Sequence, residues 1–96
     1  MSRPKARLLG FAFTEAALKF LETIPTKFRG QVIKKAKALM LDPHPNGYKQ
    51  LKGIVTGDDE PVLRERSGDY RILYVVRKNP NQVVILDIDH RKDAYR

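Results

Sequence analysis

The sequence predicts an α+β fold: a helical hairpin packed on one face of a small antiparallel β-sheet, in the order strand, two helices, then three or four strands. Three observations predict it. Two successive segments carry apolar residues at helical spacing and are split by Pro25. From Tyr48 the periodicity changes to short runs of strand formers. Those runs are separated by clusters of Gly, Pro, Asn and Asp that suit tight turns. A chain of 96 residues fits one core, so a single domain over 1–96 is expected.

In chain order, Ala6–Phe13 is apolar and reads as the first strand. Thr14 is placed to cap the next helix, with Glu15 in its first turn, where a carboxylate suits the helix dipole. Ala17, Leu18, Leu21 and Ile24 recur at helical spacing beside Phe20, and Pro25 stops the run. Thr26 is expected to cap a second helix whose apolar stripe is Phe28, Val32, Ile33, Ala36, Leu39 and Met40. Lys27, Arg29, Lys34, Lys35 and Lys37 fall largely outside that stripe, and Lys34, Lys35 and Lys37 read as a solvated face. The breakers Asp42-Pro43-His44-Pro45-Asn46-Gly47 end the helix. Strands follow at Tyr48–Ile54, Val62–Arg66, Tyr70–Arg77 and Gln82–Asp89. Their short connections imply an antiparallel meander.

Composition narrows the chemistry. Hydrophobic residues make up 42% and charged residues 31%, which is ordinary globular usage. With no cysteine, disulfides, thiolate nucleophiles and cysteine metal sites are excluded together. His44 and His90 lack local metal-ligand spacing, so neither a metal nor a cofactor is expected. The basic N-terminus carries only a short apolar run, and no stretch approaches the ~20 apolar residues of a membrane helix. No secretion signal and a cytoplasmic location are therefore expected. The net charge of +8 is concentrated in residues 1–56, with 11 Lys/Arg against 3 Asp/Glu, whereas residues 57–96 carry 8 of each. Such a field favours anionic partners, nucleic acid or an acidic protein segment among them.

Candidate site residues lie in the second half. Arg64 and Arg66 are two apart on one strand and share a face. Arg71 follows the tight turn on the next strand, where hairpin pairing would bring it near them. The last strand runs into Asp89-His90-Arg91 and then Lys92-Asp93-Ala94-Tyr95-Arg96. Arginines near a phenol on an open sheet face suit a phosphodiester, because guanidinium forks match phosphate oxygens and tyrosine stacks on bases. A structural role is equally open: Glu60, Glu65, Asp69, Asp87 and Asp89 are all available for cross-strand ion pairs. His90 alternates with Val84, Leu86 and Ile88, so it is a candidate either for the site or for a half-buried strand end. Tyr70 and Tyr74, flanking Ile72, read as packing residues.

Leu51-Lys52-Gly53, Leu63-Arg64, Gly68-Asp69-Tyr70-Arg71-Ile72-Leu73-Tyr74 and His90-Arg91-Lys92-Asp93-Ala94-Tyr95, in this order and spacing, resemble the RelE/ParE toxin superfamily. The first half resembles it too, with a strand, a proline break between helices, a basic second helix and Asp42-Pro43. The resemblance implies a compact, metal-independent ribonuclease-type fold. In the RelE-like branch it implies cleavage of mRNA in the ribosomal A site by attack of the 2′-hydroxyl on the adjacent phosphate. It implies that Arg71 clamps the scissile phosphate, Arg91 stabilises the transition state, and Tyr95 stacks on a base and assists proton transfer. Arg64 stands where a relative has a catalytic lysine. Lys52, Arg66, His90 and Lys92 are the expected RNA contacts. A lysine expected two residues before Arg64 is replaced by Val62, leaving Lys52 and His90 as the alternatives for the general base.

The resemblance also implies an antitoxin partner whose acidic or amphipathic tail covers the basic site, with operator DNA bound only through that antitoxin. The C-terminal helix of some members is expected to be lacking. Two other functions stay open: a ParE-like DNA gyrase poison that cleaves no RNA, and an inactive relative that acts only as a binding module.

Overall fold

Thr14 opens the first helix as expected. It is extended, its Oγ1 accepts the Ala17 amide at 3.2 Å, and the same hydroxyl donates to the Leu86 carbonyl. One side chain thus caps the helix and ties its start to the last strand. The computed structural model describes residues 10–78 and 81–90. The elements are β1 (Gly10–Phe13), α1 (Glu15–Thr23), α2 (Thr26–Ala38), β2 (Lys49–Val55), β3 (Pro61–Ser67), β4 (Tyr70–Arg77) and β5 (Gln82–His90). Of the expected first strand, residues 6–9 lie outside the described part.

Pro25 separates the helices, but Thr26 does not cap the second one. Pro25 itself is the cap residue and Thr26 is the first helical residue, with no side-chain cap bond. The break is closed from within α2 instead. Arg29 Nη2 donates to the carbonyls of Glu22 at 3.2 Å and Ile24 at 3.0 Å, satisfying acceptors that the end of α1 leaves open.

The five strands form one sheet in the order β1-β5-β4-β3-β2. The meander from β2 to β5 is antiparallel throughout, as the short connections predict. β1 is the exception: it pairs parallel with β5 at the far edge, a pairing that sequence periodicity does not encode. Gly10 permits the close approach there, because a Cβ would sit 3.2 Å from Gln82 Cβ.

Both helices cover one face of the sheet. The core between them joins Ala17, Leu21 and Ile24 of α1, with Ile24 just past its last turn, and Val32, Ala36 and Leu39 of and after α2. The sheet contributes Leu63, Ile72, Tyr74, Val83, Ile85 and Ile88. Leu18 and Phe28, at the margins of their apolar arcs, stay exposed. Tyr74 is fully buried, and its hydroxyl donates to the Pro43 carbonyl at 2.6 Å, anchoring the loop after α2.

A smaller apolar row stabilises the opposite, open face. Val62, Val75 and Val84 lie in successive positions across β3, β4 and β5, flanked by Leu51, Leu73 and Leu86. Val62 is 5% exposed. A bulge then reshapes β5: Tyr74 pairs with Ile85 but Leu73 pairs with Asp87, so Leu86 is an extra residue. Beyond it, Asp87 and Asp89 turn to the open face, and Ile88 and His90 turn to the helices.

Candidate functional site

The bulge and the β3–β4 turn build a charged zone on the open face. The turn has Gly68 at φ +61° as its first central residue, a left-handed conformation natural for glycine, and it sets the hairpin register. In that register Arg66 is directly opposite Arg71, and Arg71 is opposite Asp89. The neighbouring row runs Lys49, Arg64, Leu73, Asp87 across four strands. Arg64, Arg66 and Arg71 therefore converge as the sequence predicts. Among the described residues the two rows hold four cations against two carboxylates.

Arg71 and Asp89 form a two-pronged ion pair, Nε to Oδ1 at 2.9 Å and Nη2 to Oδ2 at 3.2 Å, with side chains 18% and 28% exposed. The cross-strand pairing left open by the sequence thus exists for this arginine. Arg66 projects into solvent at the turn. Arg64 is different: its Nε is buried and has no hydrogen-bond partner, and among the described residues its guanidinium makes no salt bridge. A buried guanidinium nitrogen without an acceptor costs stability.

The remaining candidates fall elsewhere. Lys52 is exposed on the edge strand β2. His90 faces the helices, its ring edge-on to Tyr70 at 5.0 Å, across the sheet from the arginines. The expected alternation with Val84 and Leu86 fails because the bulge adds a residue between them and His90. Arg91, Lys92 and Tyr95 lie outside the described residues. Tyr70 packs among Phe20, Phe28 and His90, with ring centroids 5.0–6.4 Å away. Burial pushes the Tyr74 phenol above its ordinary range, so it holds its proton at neutral pH.

Two further features frame the zone. At the other end of the open face, Arg77 Nε meets Glu60 Oε2 at 2.7 Å. That hydrogen bond holds the Glu60 carboxyl below its usual range and raises the guanidinium. On the helix side a shallow pocket of about 200 Å³ lies between Phe28 and Gln31 of α2 and the Gly68–Tyr70 turn. Among the described residues no cluster of three or more His, Asp or Glu side chains is placed to hold a metal ion. No helix among them is long and apolar enough to cross a membrane.

Sequence reasoning did not single out Lys49 or select Asp89 from the five available carboxylates. Both follow from register, and counting back from the Gly68 turn through the hairpins is the one signal that reaches them. The glycine bend at Gly53 and the bulge at Leu86 interrupt that count.

This arrangement, a helical hairpin on one face of a β1-β5-β4-β3-β2 sheet and arginines on the other, can be placed among known proteins. The family model described as ParE toxin of the type II toxin–antitoxin system parDE matches residues 11–95. The chain belongs to the RelE/ParE superfamily of type II toxins. Among superfamily members, Toxin RelG of Mycobacterium tuberculosis is 34% identical over 85 residues, covering 88% of this chain and 92% of its own. The archaeal RelE–RelB complex from Pyrococcus horikoshii OT3 superposes with a TM-score of 0.73 at 25% identity, over 88% of this chain and 97% of that one. The RelBE2 toxin–antitoxin complex of M. tuberculosis gives 0.72 at 28% identity, over 88% and 92%. The RelE-like α+β fold expected from the sequence is the fold observed.

Proposed function

We propose that this toxin is a metal-independent endoribonuclease that cuts mRNA in the ribosomal A site. The observation that carries the reading is the open-face zone, where Arg64, Arg66 and Arg71 gather with fewer carboxylates than cations. The 2′-hydroxyl of the substrate attacks the adjacent phosphorus, and the 5′-oxygen leaves. Negative charge builds on the phosphoryl oxygens during that step, and preorganised guanidinium groups stabilise it. Arg71 is the clamp, with Asp89 fixing the plane of its fork. Arg91 is the transition-state partner in this reading, two residues after Asp89 in the sequence. Tyr95 stacks on a base, and Arg66 and Lys92 contact the backbone. Neither histidine lies on the arginine face, His44 sitting against Tyr48 in the loop after α2. Electrostatic stabilisation is therefore the contribution this face offers; Lys52, on the edge strand next to the open-face Leu51, stands outside the zone as well.

The same reading gives the chain an antitoxin partner and a cytoplasmic setting. The two solved relatives reported above are toxin–antitoxin complexes. The +8 charge suits an acidic segment that would cover the arginine zone, leaving operator contacts to the antitoxin.

The match to a ParE family model supports a second reading, a gyrase poison. Primer extension on mRNA from cells expressing the chain separates them. Cuts inside translated codons are expected. Intact mRNA with double-strand DNA breaks would establish the gyrase reading instead, and intact mRNA with intact DNA the binding-module one.

A further inference from the structure

We propose that Lys49 and Arg64 form a second phosphate subsite beside the Arg71 clamp, taking the backbone phosphate next to the scissile one in a single-stranded RNA. The choice of RNA as ligand rests on the ribonuclease reading; the anion site itself rests on geometry.

Three observations carry it. Lys49 and Arg64 are directly opposite one another on β2 and β3, so their Cβ atoms are about 4.5–5.5 Å apart on the same face. Like charges in that position repel, and among the described residues neither side chain has a carboxylate within salt-bridge reach. The Arg64 Nε is buried without an acceptor. The other such atom, Arg29 Nε, belongs to a guanidinium that donates to two carbonyls and closes the helix break. Arg64 has no such structural task. Asp87, across Leu73 in the same row, has its Oδ1 engaged by the Ile88 amide at 2.8 Å. A cation pair in register, with a buried donor nitrogen and, among the described residues, no counter-ion, is what a sheet presents when the counter-ion is a ligand.

The ligand chemistry follows from the groups. A planar fork beside a mobile ammonium suits an oxyanion with several acceptor oxygens. The subsite lies about 7 Å along the sheet from the Arg66–Arg71 row, being two residues away on β3. A polyanion of repeating phosphates spans both rows, whereas an isolated carboxylate fills only one.

The test is fluorescence anisotropy of the purified full-length chain with a short RNA oligonucleotide, 2′-O-methylated so that it cannot be cleaved, over a series of salt concentrations. Each phosphate neutralised on a single strand contributes about −0.7 to the slope of log affinity against log salt. Lys49→Ala with Arg64→Ala should flatten the slope by about 0.7, while Lys34→Ala with Lys37→Ala on the solvated face of α2 should leave it unchanged. Lys49→Glu, an exposed change, should weaken binding several-fold and raise the melting temperature, because it removes the repulsion. An unchanged slope in the first double variant, or equal flattening in the second, overturns the subsite. So does a Lys49→Glu chain that binds as the parent does. The oligonucleotide lacks a reactive hydroxyl, so loss of mRNA cleavage would sink the enzymatic reading without touching this one. Cleavage with a flat response at Lys49 and Arg64 would do the reverse.

Discussion

Replacing Arg71 with alanine separates chemistry from architecture, because the proposed clamp gives this side chain a place in both. Architecturally it is held by Asp89 at 2.9 and 3.2 Å, with side-chain exposures of 18% and 28%. Solvent-exposed pairs contribute about 0–1 kcal/mol, and breaking a buried pair costs about 3–5 kcal/mol. A pair of intermediate burial places Arg71→Ala at a loss of about 1–2 kcal/mol. For a domain of this size that lowers the melting temperature by about 4–8 °C per kcal/mol. Chemically, losing one preorganised donor at a developing oxyanion costs about 10²–10³ in rate. The assay is single-turnover cleavage of mRNA on stalled ribosomes, run beside a urea melt. Asp89→Asn is the control. It should reproduce the stability loss while keeping the guanidinium, and so lose much less rate than Arg71→Ala. A folded Arg71→Ala chain that cleaves at the parent rate would refute the clamp. Equal rate losses in both variants would make the ion pair, rather than the arginine, the unit that matters.

Two further outcomes follow from the packing. Tyr74→Phe removes the hydroxyl that reaches the Pro43 carbonyl at 2.6 Å, and should lower stability by about 1 kcal/mol in a urea melt; no shift would mean that the loop after α2 is anchored otherwise. Glu60 is held below its ordinary value of 4.5 mainly by its hydrogen bond from Arg77, so its folded pKa is depressed. Its stabilising contribution is therefore present above pH 4.5 and lost as pH falls through the lower folded value. The urea midpoint of Glu60→Gln should fall less than the parent's over that acid range, and parallel curves would show that the pair contributes nothing.

Local chemistry was legible in the sequence, and register was not. Tyr70–Arg77 is a strand with the expected bounds, and the tight turn at Gly68-Asp69 fixes where it begins. Thr14 caps α1 because a hydroxyl at that spot needs only its own helix to find a donor. Thr26 reads the same way but sits one residue inside α2, where Pro25 already fixes the entry and Arg29 closes the gap from a distance. The gathering of Arg64, Arg66 and Arg71 was legible because strand alternation and one tight turn suffice to place them. The placement of His90 was legible only as one of two alternatives, and the half-buried strand end is the one observed. One extra residue at Leu86, set by pairing between distant strands, reverses every side chain after it. The parallel seat of β1 on β5 has no local signature either.

The charged zone persists because other parts of the molecule hold its strands in place. Arg66 opposite Arg71 and Lys49 opposite Arg64 repel, and a two-layer sheet free to slip by one residue would relieve that repulsion. Slippage is blocked from both sides. On the helix face Ile72, Tyr74, Ile85 and Ile88 would have to leave the core. On the open face Val62, Val75 and Val84 interlock in the adjoining row. This gives Val62 a physical role where the superfamily resemblance leads one to expect a lysine: it extends the apolar row that pins β3 beside the arginines. Fixing like charges close together in the unliganded protein costs stability once, on folding, and spares the site that reorganisation when an anion arrives. The same rigidity explains why a single bulge decides the outcome. By turning Asp87 and Asp89 toward the arginines it supplies the negative charge that orients Arg71, while the Arg64 Nε is left buried and, among the described residues, its guanidinium has no carboxylate.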